Sequence, residues 1–226
     1  MANIIISNTK PKVATGLEDI VLYKIIDEKA SPIEYGDVVI LENLGRNITA
    51  TATETRTKYS ADNKVQGEIV NIADYSGTIE LLQMPTDLSL IINGGFIDKT
   101  TGVIMPNLGD RPKFGMTYVR TYDDGTREAF IIPKIQFGQT MSMNATTQED
   151  GAPAPQFFST EILVFLTKIQ DDRPPVANLS VRTDTEEYKE GFIESFRLGF
   201  PTMAMFELPT SPIVTIRAPR ENKSTI

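Results

Sequence analysis

Three pairs of neighbouring carboxylates are the first candidates for chemistry in this 226-residue chain: Asp123-Asp124, Glu149-Asp150 and Asp171-Asp172. Hydrolysis of a glycoside by paired acids needs two carboxyl groups facing each other across a cleft, about 5 to 9 Å apart. Neighbours on a strand point to opposite faces, and these pairs fall in a turn, a loop and a linker. They read as surface charge. "YDDGTRE" (122–128) shares an Asp-Gly turn with calcium loops but lacks their alternating oxygen ligands. The chain also has no histidine, cysteine or tryptophan. Disulfides, thiolate chemistry, the usual zinc and copper ligands and every Ser-His or Cys-His nucleophile go with them. A protein that is not an enzyme, with no cofactor and no metal, is expected.

Charge narrows the partners further. The formal net charge is −8, from 22 basic and 30 acidic residues, with no cluster of lysine and arginine to follow a phosphate backbone. Such a surface stays soluble and repels nucleic acid. The longest apolar runs, "DLSLII" (87–92) and "EILVFLTKI" (161–169), fall far short of the roughly 20 residues that cross a bilayer. "MANIIISNTKPK" lacks the pattern of a secretory leader, so synthesis and retention in a cytoplasm, with no membrane partner, are expected.

The elements that must position any site read mostly as strands. Residues 1–19 read as an extended arm, "DIVLYKII" (19–26) and "DVVILENL" (37–44) as strands, and 30–37 as the turn between them. "EIVNIADYSGTIELLQM" (68–84) is β again, with Gly77 expected to mark a bulge. At 84–95 the period changes. Pro85 suits a first helical turn, Asp87 suits its positive end, Leu88, Ile91 and Ile92 share a face, and Gly94-Gly95 stop the helix. Two short β pieces about a Lys-Thr-Thr-Gly turn follow (96–106). "FGMTYVRTYDDGTREAFIIPKIQF" (114–137) is a hairpin joined at Asp124-Gly125, a dipeptide that supplies positive φ angles, and Pro133 marks an edge or a bulge. A loop at 144–155 leads to "FFSTEILVFLTKI" (157–169), the most apolar strand, expected at the core centre.

"DDRPP" (171–175) reads as a linker, dividing a β domain over 1–170 from an extension over 171–226. The extension, an arm or small decoration, holds a short helix near 185–200 and a last strand at 211–219. The expected fold is a mostly-β antiparallel sandwich or barrel with one short α-helix and a long projecting hairpin.

That hairpin is the most informative stretch. "NITATATETRTKY" (47–59) places Thr49, Thr51, Thr53, Thr55 and Thr57 at alternate positions, leaving both faces poor in large apolar groups. Threonine is simply a good strand former, which is one account of the ladder. The other account is length. Residues 48–58 span about 36 Å when extended, too long for the core of a small domain, so the outer part should project. "KYSADNKVQG" (58–67) reads as its loop tip. An exposed strand edge templates pairing with another chain, and Arg56, Lys58, Asp62 and Lys64 could set the register by charge. The apolar "NIIIS" (3–7) and "MAMFELP" (203–209) suit a core or an interface equally.

The order of these features resembles the major tail tube proteins of long-tailed, non-contractile (siphovirus-type) bacteriophages. The resemblance runs over about 14–170, through "GLEDIVLYKI", the threonine hairpin with "TKYSADN", "GTIELLQMPTDL", the Gly-Gly stop, the 114–137 hairpin and "TEILVFLTKI". It implies a structural virion protein of the phage tail, made in the host bacterial cytoplasm. Such proteins self-assemble into hexameric rings that stack into a hollow tube. The inner strands line the lumen, the helix lies outside, and the hairpin packs on a neighbouring ring. The chain's partners would be itself and other tail proteins (tape measure, terminator, baseplate), and DNA would pass during ejection without specific binding. Another virion piece of related fold (tail terminator, baseplate hub, head decoration) is the alternative. A carbohydrate-binding β-sandwich fits less well, because a glycan platform uses exposed aromatics and the chain has no tryptophan.

Overall fold

A computed structural model describes residues 12–61, 64–105, 111–138, 157–169, 175–186 and 188–201, with 53–74 described through their backbone. Its strands are β1 (Ala14–Asp27), β2 (Glu34–Leu41), β3 (Gly45–Ala61), β4 (Lys64–Leu81), β5 (Phe96–Ile97), β6 (Ile104–Met105), β7 (Lys113–Tyr122), β8 (Arg127–Phe137), β9 (Phe158–Phe165) and β10 (Leu179–Arg182). One α-helix, α1 (Thr86–Asn93), and a 3-10 turn at Glu194–Arg197 complete the described elements. The strands form a mostly-β antiparallel fold. Eight strands make one sheet in the order β2-β1-β7-β8-β9-β4-β3, with β10 alongside β8. β5 and β6 pair only with each other.

Burial on two faces defines the centre of this sheet. In β1, Ile20 and Leu22 enter the main core while Val21 and Tyr23 are equally buried on the opposite face. The main core adds Leu41, Ile79, Leu81, Phe114, Met116, Ile132, Ile135, Phe137, Ile162 and Val164 from five further strands. The sheet curls around this cluster. Gly45, at the start of β3, comes so near β1 that a Cβ there would lie 2.7 Å from the Ile20 Cδ1. β9 lies between β8 and β4 but is buried on one face only, with Thr160, Ile162 and Val164 inward and Ser159, Glu161 and Leu163 outward.

α1 closes the core with Leu88 and Ile92, while Ile91, expected on the same face, is exposed. Pro85 is the residue before the first turn rather than within it. Gly94 ends the helix in the left-handed conformation (φ 62°), and the amides of Gly94 and Gly95 donate back to the carbonyls of Ile91 and Leu90.

Three turn expectations need correction. The described part of 58–67 is strand and not loop, because β3 runs to Ala61 and β4 starts at Lys64, with 62 and 63 outside the described residues. Gly77 is not a bulge: it pairs in register with Ala50 and Ile162. Its role is close approach, since a Cβ there would overlap the Thr49 carbonyl oxygen and lie 2.8 Å from the Ala50 Cα. At the β7–β8 turn only Gly125 has positive φ (80°), and Asp124 does not. The loop spans four residues, with the Gly125 amide donating to Tyr122 and the Tyr122 amide to Thr126. One left-handed residue after a tight turn closes such a hairpin. The bulge expected at Pro133 is present, because the β7–β8 register shifts between Phe114 and Met116, opposite Pro133.

The described part of the 171–226 extension adds to the same body. β10 joins β8, and Ile193 and Phe196 pack with Val119, Ala129 and Ile131 as a second cluster on the face opposite the main core. The segments 144–155, 203–209 and 211–219 lie outside the described residues.

Two glycine substitutions separate crowding from backbone strain. Gly77→Ala must displace β3 backbone and should lower stability by about 3 kcal/mol. Gly125→Ala meets nothing within 4 Å, so only the left-handed backbone resists it, at about 1 kcal/mol. Urea unfolding of the two variants should show that order.

Candidate assembly interface

β3 and β4 form one antiparallel ribbon from Gly45↔Leu81 to Ala61↔Lys64. β9 pairs only with the first part, Asp74–Leu81. Beyond Asp74 the two strands have only each other among the described pairings. That outer part of β4, residues 64–73, would reach about 33 Å if fully extended. Register shifts fall between Thr53 and Glu54 and between Tyr59 and Ser60, adding twist where the ribbon leaves the sheet and near its end.

The root of the ribbon is anchored. Ile48 and Tyr75 pack against the main core, and Gly77 lets the β3 backbone press onto β4. Thr49 and Thr51 are exposed at this root, and the Thr49 Oγ1 lies 2.9 Å from the Thr78 Oγ1 across the strands. Thr53, Thr55, Arg56, Thr57 and Lys58 follow in the outer ribbon, and Lys64 opens the return strand opposite Ala61. Asp62 lies outside the described residues. The outer edge of β3 and that of β2 have no strand partner among the described residues, so both present free hydrogen-bonding groups.

Asp124 and Gly125 lie elsewhere, in the β7–β8 turn, where Asp124 anchors a clasp. The Lys12 Nζ reaches Asp124 Oδ2 at 2.7 Å, Asp184 Oδ2 at 2.8 Å and Thr126 Oγ1 at 2.7 Å. Asp123 exchanges hydrogen bonds with the Val13 backbone. The first described residues, the β7–β8 turn and the turn after β10 thus share one cation. Lys12, helped by the Thr126 amide, holds the Asp124 carboxyl well below its ordinary range, and Asp124 and Asp184 raise the Lys12 ammonium.

Arg197 binds Asp19 and Glu42, and Arg127 binds Glu18 and Glu194, tying the 3-10 turn to β1 and β8. Sequence reasoning missed these anchors because they join segments from 67 to 178 residues apart with no local motif. Among the described residues no group of carboxylates could hold a metal ion, and no helix is long and apolar enough to cross a membrane.

The clasp has a pH signature. Asp124's folded pKa is depressed, so its contribution is present above the unfolded value of about 4 and is lost as pH falls through the folded value. The melting temperature of Asp124→Asn should fall below that of the parent at pH 7, and the gap should narrow as pH drops below about 4. A gap independent of pH would mean that the carboxylate charge is not what holds the clasp.

No family model matches the chain, and no curated protein matches it.

Proposed function

We propose that this chain is a structural virion subunit that self-assembles into stacked hexameric rings, forming the tail tube of a long-tailed bacteriophage. The observation that carries this reading is the ribbon. Its root is built into the core, while its outer half has no strand partner among the described pairings. A long strand edge of this kind gains by pairing with another copy, and along β3 it carries Thr53, Thr55 and Thr57 with Glu54, Arg56 and Lys58 between them. In this reading the ribbon joins successive rings and the curled sheet is the tube wall.

The face of β9, β4 and β3 turned away from the core supports passage of DNA without capture. It presents Thr49, Thr51, Ser76, Thr78, Glu80 and Glu161, with Leu163 exposed among them; the two carboxylates repel a phosphate backbone, and the neighbouring Arg46 is paired with Glu80. The reaction chemistry of an enzyme plays no part in this role.

Negative-stain electron microscopy of the concentrated protein, with light scattering across a dilution series, tests the reading. Hollow tubes or stacks of six-membered rings are expected, whereas single closed rings would point to a terminator or hub. Deleting 56–66 should leave a folded, soluble protein that forms no tubes. If the deletion unfolds the chain, the ribbon belongs to the core and the assembly reading loses its support.

A further inference from the structure

One cleft of the described fold is apolar and firmly walled. Ile33, Tyr35, Pro133, Ile169, Leu179 and Phe200 line about 520 Å³ of space, including the open mouth. Tyr35 and Phe200 stack with ring centroids 4.0 Å apart, and a Cβ at Gly115 would come within 2.8 Å of both rings. The Tyr35 hydroxyl donates to the Pro133 carbonyl at 2.8 Å, so the phenol of that wall is satisfied by backbone. Among the described lining residues one is charged, Lys168, which is exposed and has no ion pair among the described residues.

The chain delivers an occupant to this cleft. Phe200 and Pro201 both line it, Pro201 is buried, and the described residues end there, so residue 202 starts at the cleft. "MAMFELP" (203–209) follows at once. Residues 202–205 span up to about 13 Å when extended, which brings Met203 and Met205 within reach of a space of this volume. Methionine suits such a site, because its unbranched thioether adapts to uneven walls. A tethered segment also meets the cleft at a roughly millimolar effective concentration, which favours it over a free partner in dilute solution.

Charge supplies a second, independent match. Between Arg197 and Arg217 the sequence holds one charged residue, Glu207. In an extended chain Met203, Met205 and Glu207 share a side. Two thioethers followed by a carboxylate thus meet apolar walls followed by the one lining cation. We infer that residues 203–207 fold back as a strap over the cleft of their own chain, with Met203 and Met205 in it and Glu207 on Lys168. The strap ties the start of β2 to β8 and β10, because Tyr35, Pro133 and Leu179 line the same cleft.

Carbodiimide coupling of the full chain, read by mass spectrometry, tests the pairing, because it joins an amine to a carboxylate only where the two touch. Unlabelled and isotope-labelled protein would be unfolded in urea, mixed and refolded together. The Lys113–Glu28 pair, 2.6 Å apart, is the control for native structure. The expected product joins Lys168 to Glu207 within one isotopic form. A native control without that product overturns the strap. So does a product that mixes the two forms, which assigns the cleft to a second copy. Met205→Asp in the full chain should lower the melting temperature by roughly 4 °C or more, whereas Thr210→Asp, beyond the strap, should leave it in place. An unchanged melting temperature for Met205→Asp also overturns the inference. The strap lies within one chain, so its failure leaves the assembly reading standing.

Discussion

The dependence of the whole molecule on β4 comes from a mismatch in length. β4 serves as an interior strand between β9 and β3 for one part and as half of a free ribbon for the rest. Both roles need the same backbone register, and Gly77 sets it by letting the β3 backbone approach where any side chain would collide. Ile79 and Leu81 then fall into the core while Ser76, Thr78 and Glu80 face away. Because strand side chains alternate strictly, a slip of one residue here would invert both faces. The root of the ribbon is therefore specified by core packing, and the ribbon inherits its direction from that root.

The centre of the sheet has a different constraint, burial on both faces. β1, β7 and β8 present one face to the main core and the other to the segment that follows β10. Tyr23 shows how the two sides are joined. Its ring is fully buried, and its hydroxyl lies 3.0 Å from the Thr117 hydroxyl and donates to the Phe196 carbonyl at 2.6 Å. Burial pushes the phenol upward, so it stays neutral and costs no buried charge. The second cluster thereby covers this face over β7 and β8, while over β9 and β4 the same face carries Ser159, Glu161 and Leu163 beside Ser76, Thr78 and Glu80.

Charged side chains act mainly as fasteners around these cores. Lys12, Arg127 and Arg197 each join two carboxylates from separate segments, and each pair is partly open to solvent. Single pairs of this kind add little stability. Their effect is geometric, holding Lys12 against the β7–β8 turn and the 3-10 turn against β1 and β8. Asp19 illustrates the demand, since it adopts a positive φ of 35° at the β1 bulge and its carboxylate receives two bonds from Arg197.

The chain alone determined what period and composition can carry. Alternating strands, the proline and double glycine around α1, the Asp-Gly turn and the long threonine ladder were all legible, because each is a local pattern. The absence of histidine and cysteine likewise limited the chemistry before any fold was known. Tertiary structure decided what depends on distant neighbours. Gly77 looked like a bulge and is a point of close approach, and 58–67 looked like a loop because its polar residues do not reveal that they pair. The Lys12 clasp, the Tyr35–Phe200 stack and the joining of β10 to β8 bring together residues tens to more than a hundred positions apart. Such contacts leave no periodic trace in the sequence, since they depend on which faces the curled sheet turns toward each other.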